Sequence, residues 1–284
     1  MIRTGIDSDK SVLMHLWKLC FPDTWRFIHF YFDTVYKKDE TLVYVENNQP
    51  VASLQMIPYR IKTDDSFLGG GYISGAMTHP NYRKRGYMEQ LLTASFKTMR
   101  EKGYDYTFLI PQEEYLVDYY AKFGYEKAFP QHLTSYLQTG EPKLSDNVKI
   151  YTDHSVSVSD DLQNLYAIYS RFLMDKTDVV MKNEIQFLIT LWDFFDGKGV
   201  LFANDDGFAF SSKTGKFINL IDFFYRNEET KMEFLQTISA YYSGKQKIIY
   251  SYPAAPITGH KGMIKSLDAS VATKTDIYLG RMLE

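Results

Sequence analysis

An apolar run, a basic loop, an amphipathic stretch and a second apolar run follow one another between Tyr72 and Ile110, and that order admits few folds. Residues 72–78 read as a strand. Residues 86–101 place Met88, Leu91, Leu92, Ser95, Phe96 and Met99 on one side of a helix that stops at Gly103. Residues 104–110 read as a strand again. Two strands joined through a helix of this length lie parallel in one sheet, with a right-handed crossover. Ahead of them, Ser8 caps a helix to Cys20, a second helix spans 24–36, and Asn47-Asn48-Gln49-Pro50 turns the strand at 42–45 into a partner at 51–61. A short helix at 115–122 and a last strand at 126–137 follow. The fold class is α+β, a mixed and mostly antiparallel sheet flanked by helices.

At 284 residues the chain has room for two such units. Residues 139–147 are polar and contain Gly140 and Pro142, which marks them as a linker, so the domains are expected at 1–138 and 148–284. The second half repeats the order of the first: helices at 160–174 and 183–195, strands at 199–203, 208–212 and 217–225, a helix at 229–242 closed at Gly244, and a strand at 247–252. The repetition suggests an old duplication. A single cysteine, Cys20, cannot form an internal disulfide, the N-terminus lacks a signal-like apolar core, and the greasiest stretch, 187–192, is far short of the roughly 20 residues that span a bilayer. A cytoplasmic protein without membrane insertion is expected. A net charge of −3 gives no global field for nucleic acid, so any basic site is local.

That local site lies between the strand ending at Thr78 and the helix starting near Gly86. Arg83, Lys84 and Arg85 stand immediately before a helix N-terminus, whose free N–H groups and positive dipole end already favour an anion. Three cations and a glycine suit a diphosphate, although an exposed loop of solvated charges has the same composition. The six histidines show no ligand spacing, so no metal is expected. Neither a Gly-x-Ser-x-Gly elbow nor a Walker-type Gly-Lys-Ser/Thr is present.

Arg83-Lys84-Arg85-Gly86-Tyr87-Met88, behind a strand and Thr78-His79-Pro80, resembles the Arg/Gln-x-x-Gly-x-Gly/Ala signature of the GCN5-related N-acetyltransferases (GNAT). Tyr119-Tyr120-Ala121-Lys122-Phe123-Gly124-Tyr125 is similar to the second motif of that superfamily. The doubled pattern resembles its tandem-domain members of the enhanced-intracellular-survival type, without the sterol-carrier-like domain that follows the pair there. The resemblance implies two GNAT-like domains, each with a splayed parallel strand pair, and acetyl-CoA as co-substrate. Its diphosphate would rest on Arg83, Lys84, Arg85, Gly86, Tyr87 and Met88, and its pantetheine arm would run along the backbone of Ala76, Met77 and Thr78. Met88 departs from the signature, which has Gly or Ala there.

By the same resemblance Tyr120 is the general acid for the departing thiolate, whereas its bare sequence context favours a core aromatic. For the base, Glu113 and Glu114 follow the second strand, and the resemblance to the survival-type proteins, which use the chain's own terminal carboxylate, points to Glu284. The implied reaction moves an acetyl group to the primary amine of a small molecule or peptide, with room for a homo-oligomer; the alternative is a non-catalytic CoA sensor or an interaction protein on the same fold. In the second half, Tyr225-Arg226-Asn227-Glu228-Glu229 replaces the basic loop, and glutamates at a helix start repel phosphate. That half is expected to bind no CoA and to complete the acceptor site as a degenerate domain. Gly259-His260-Lys261-Gly262 reads as a mobile basic loop.

Overall fold

The computed structural model describes residues 1–152, 160–242, 246–268 and 270–282. In chain order the first half holds β1 (Ile2–Thr4), α1 (Asp9–Cys20), α2 (Trp25–Thr34), β2 (Thr41–Glu46), β3 (Gln49–Lys62), β4 (Phe67–Thr78), α3 (Tyr87–Glu101), β5 (Tyr106–Leu109), α4 (Tyr115–Ala121) and β6 (Glu126–Gln131). Thr24 caps α2 by accepting from the Phe27 N–H at 3.2 Å. Asn47 and Asn48 take φ of 50° and 61°, the backbone a two-residue hairpin turn requires. β4 begins five residues earlier than the sequence implies, because Gly69, Gly70 and Gly71 lie within the sheet. A Cβ on Gly71 would meet the Met99 sulfur at 2.2 Å, so the small residues there serve close packing under α3.

Contacts divide the chain into two compact units, Met1–Phe129 with Lys261–Ile277, and Pro130–His260 with Tyr278–Glu284. This division cuts across the linear boundary expected at 138 and 148. The expected strand at 126–137 is two strands: Phe129 turns to a positive φ of 61°, His132 ends the extended run, and β7 (Leu133–Leu137) belongs to the other sheet. The stretch read as a mobile basic loop opens a strand instead, β14 (Gly259–Ser266), which pairs antiparallel with β5 from Leu109↔Met263 to Tyr106↔Ser266. Alternation alone could not reveal either path, because partners separated by 110 residues or more fix them.

The sheet of the first unit is ordered β1-β2-β3-β4-β5-β14-β6. α3 and α4 bury Leu91, Leu92, Phe96, Met99 and Tyr120 in one core with Leu54, Met56, Ile73 and Leu109. Each fully buried leucine contributes about 2 kcal/mol of apolar transfer. α1 and α2 supply Leu13, Trp17 and Tyr31, and the Trp17 and Tyr31 rings lie 4.6 Å apart.

The second unit contains β7, β8 (Lys149–Tyr151), α5 (Asp160–Met174), β9 (Val179–Met181), α6 (Glu184–Asp196), β10 (Val200–Asn204), β11 (Gly207–Thr214), β12 (Phe217–Tyr225), α7 (Glu228–Tyr241) and β13 (Lys247–Ser251). The expected stop at Gly244 lies outside the described residues. A capping box between Asn183 and Gln186 starts α6. The sheet is ordered β7-β13-β12-β11-β10-β8, with phenylalanines Phe187, Phe194, Phe208 and Phe210 central to one core.

The two sheets share a detail that element order does not convey. β4 pairs parallel with β5 only as far as Tyr72↔Phe108, and β12 pairs parallel with β13 only as far as Asn219↔Ile249. Three residues past each parting point the strand bulges: Gly75 and Ala76 face the single residue Leu54, and Asp222 and Phe223 face Ala209. The first bulge residue has positive φ in both, 55° at Gly75 and 51° at Asp222. Asp222 is 5% exposed and accepts hydrogen bonds from the Tyr278 hydroxyl at 2.6 Å, the Tyr169 hydroxyl at 3.1 Å and the Arg281 amide at 3.1 Å. Asp222→Ala leaves those donors buried without that acceptor and is expected to cost about 3 kcal/mol, read from urea unfolding midpoints. A polypeptide of residues 1–138 lacks β14 and bares the edge of β5, so we expect it to show no cooperative unfolding transition; a sharp two-state melt of that fragment would restore the linear boundary.

Candidate functional site

The eight residues from His79 to Gly86 link β4 to α3. Proline favours a turn start, and the His79 ring nitrogen accepts from the Asn81 N–H at 3.2 Å, closing one 3-10 turn over Pro80–Tyr82. Arg83 is then extended, Lys84 turns to φ 65° and Gly86 to φ 73°. This alternation of hands brings successive N–H groups to one side of the chain, a concave arrangement suited to an anion. The first bond of α3 runs from the Gln90 N–H to the Gly86 carbonyl at 3.1 Å. Among the described residues, no protein group accepts from the amides of Lys84, Arg85, Gly86, Tyr87 or Met88. They stand at the positive end of a fifteen-residue helix.

The cations before the helix are divided in their duties. Arg83 donates to the Thr78 carbonyl at 3.2 Å, and its guanidinium lies 3.9 Å from the Cys20 sulfur. The Cys20 thiol itself donates to that carbonyl at 3.4 Å, and burial raises its pKa despite the nearby guanidinium. Arg83 therefore ties the loop back onto the strand end. Arg85 binds the Glu46 carboxylate at 3.3 Å, and the Tyr87 hydroxyl donates to the same carboxylate. Lys84 is exposed. Met88 is half-buried and packs against the core shared by α3 and the sheet, so its bulk is directed into the protein.

Beside this loop, the edge of β4 is uncovered by β5 from Ile73 onward. Ala76 and Thr78 are half-buried and Met77 is 2% exposed. The His79 N–H donates to the Val51 carbonyl on the β3 side, so by antiparallel alternation the amide groups of Thr78 face the opposite edge, into the gap. Tyr120 is 8% exposed and shares its core with Ile73 and Leu109, the first residues beyond the last β4–β5 pair. Its ring lies 5.4 Å from Tyr119 and 5.9 Å from Tyr125. Burial pushes its phenol well above the ordinary value, which makes it a weaker acid than a free tyrosine. Tyr125 is tied to Thr107 by a buried hydrogen bond of 3.0 Å and has a packing role.

Glu113 and Glu114 are both exposed, in the turn ahead of α4. Glu284 lies outside the described residues. Among the described residues no group of three or more His, Cys, Asp or Glu side chains is arranged to hold a metal ion, and no helix is long and apolar enough to cross a membrane. Sequence reading missed Glu46, whose distance of about 40 residues from Arg85 and Tyr87 leaves no local signal.

The second unit treats the same position differently. Only Arg226 and Asn227 separate β12 from α7. The Asn227 side chain accepts from the Thr230 N–H at 2.9 Å and from its hydroxyl at 3.1 Å, while Glu228 and Glu229 occupy the first turn. That helix start is supplied with acceptor and negative charge by its own residues.

Residues 1–128 match the family model of an acetyltransferase (GNAT) domain. A search of curated proteins finds no match. Among solved structures, a conserved protein from Enterococcus faecalis described as a probable N-acyltransferase superposes with a TM-score of 0.74 at 13% identity, over 94% of this chain and 72% of that one. Eis1 from Mycobacterium abscessus gives 0.68 at 13% identity, over 94% and 74%. A putative acetyltransferase from Pyrococcus horikoshii gives 0.56 at 14% identity, over 100% and 94%. At such identities the likeness is one of fold, and it extends across both units.

A Cβ at Gly75 would stand 2.6 Å from the Trp17 ring, in a backbone conformation side chains disfavour. Gly75→Ala is therefore expected to destabilise the first unit by about 3 kcal/mol, measured as a drop in the denaturant midpoint at unchanged slope.

Proposed function

Because residues 1–128 match the family model of an acetyltransferase (GNAT) domain, we propose that the chain is an N-acetyltransferase that takes its acetyl group from acetyl-CoA. The observation that carries this reading is the adjacency of the amides of Lys84 to Met88, from which no protein group accepts, and the edge of β4 past Tyr72, which β5 leaves uncovered and where Arg83 and Cys20 already engage the Thr78 carbonyl. A diphosphate needs several donors and positive potential, and the loop offers both without side-chain rearrangement. A pantetheine arm contains amide groups, and Ala76, Met77 and Thr78 can meet it as a neighbouring strand would. Acetyl-CoA supplies the thioester whose acetyl group is transferred.

The chain's own contribution is to hold the thioester in the β4–β5 gap and to manage charge and protons. A neutral primary amine attacks the carbonyl carbon, the carbon–sulfur bond breaks, and its electron pair leaves on sulfur. Tyr120, protonated at neutral pH as any phenol is, donates to that sulfur and is re-protonated from solvent; the proton lost by the amine passes to water. A buried phenol is a weak acid, so its hydrogen bond to the developing thiolate carries much of the effect. The acceptor is an amine on a small molecule or a peptide.

Calorimetric titration with CoA and a thiol-release assay over an amine panel test this reading. Gly86→Glu places a carboxylate among the amides and is expected to weaken CoA binding at least about 100-fold. Tyr120→Phe is expected to keep the CoA affinity and to slow turnover about 100-fold. Binding without release of thiol for any amine would make the protein a CoA sensor, and unchanged turnover in Tyr120→Phe would remove the phenol from the mechanism.

A further inference from the structure

The carboxylate of Glu46 closes β2 directly beside the start of α3. It accepts from the Tyr87 hydroxyl and pairs with Arg85 at 3.3 Å. The arrangement is braced by the Tyr44 and Tyr87 rings, stacked at 3.9 Å and inclined by 12°. Glu46 thus places a negative charge at the positive end of the helix and engages a cation that the loop would otherwise offer to a ligand. Arg85 also reaches the Asn81 carbonyl at 3.4 Å and lies 5.0 Å over the Tyr82 ring, so its guanidinium is held within the loop. With side chains 48% and 30% exposed, Arg85 and Glu46 form a pair that is weak enough to be exchanged.

We propose that Glu46 sets the affinity of this loop for phosphates by competing for Arg85, a role that rests on the acetyl-CoA reading above. With Arg85 engaged, the diphosphate is held chiefly by backbone amides, and free CoA, which carries the same diphosphate as acetyl-CoA, is not trapped after transfer. The competitor is internal, so its effective concentration is fixed by the fold and not by the surroundings.

The test compares CoA binding by calorimetry in the full chain, in Glu46→Gln, in Arg85→Met and in the double variant, each checked for an unchanged melting temperature. Glutamine keeps an acceptor for Tyr87 and removes the charge. Glu46→Gln is expected to tighten CoA about fivefold and to steepen the loss of affinity with added salt, because a released Arg85 now meets a phosphate. In the Arg85→Met background most of that gain should disappear. Equal or weaker binding by Glu46→Gln, or a gain that persists in full without Arg85, overturns the proposal and leaves Glu46 as scaffold. Absence of CoA binding by the wild-type chain and all variants removes the cofactor reading itself, and the proposal with it.

Discussion

A backbone N–H that finds no acceptor is costly in a dry environment and cheap only where solvent or a ligand can reach it. The amides of residues 84–88 define the first unit for that reason: the strand end, the eight-residue loop and the helix start are arranged so that no protein group accepts from these donors. The positive φ at Lys84 and Gly86 sets their direction, and Arg83 fixes the loop to Thr78. The remaining features take their meaning from this seat, since the gap beside β4 matters only if something anchored there extends into it.

The comparison between the halves shows how little backbone change separates an open site from a closed one. Both sheets part after three parallel pairs and bulge three residues later. In the first unit the bulge holds Gly75 and leads to a long basic loop. In the second it holds Asp222, whose carboxylate gathers Tyr169, Tyr278 and Arg281, and the following helix starts two residues beyond the strand with its own cap. A glycine that leaves space and an aspartate that fills it occupy the same strained conformation, and the chain between strand and helix is lengthened or removed around it.

Much of this was legible from residue order. The crossover between residues 72 and 110 and the helix of residues 87–101 follow from periodicity, a local property, whereas Ser8, expected to cap α1, makes no side-chain cap hydrogen bond, and the caps at Thr24 and Asn227 were not anticipated from the sequence. What was not legible depended on distant partners. The division of 126–137 into β6 and β7 and the return of β14 are decided by ladders to strands far along the chain, and Glu46 reaches Arg85 only after β2 and α3 have been packed together. Met88 looked like a flaw in the loop motif, yet its side chain belongs to the core beneath α3, a distinction that depends on helix direction and not on residue type.

The placement of β14 also bears on how the protein is made. Its residues emerge from the ribosome more than 120 residues after those of β5 and β6, and yet it lies between those two strands. During translation the N-terminal sheet must wait with one inner seat vacant, exposing an unpaired strand to whatever else in the cell can form a ladder. Completion of the first unit is thereby coupled to synthesis of the second, so that a chain terminated before β14 carries the loop but not the finished sheet that supports it.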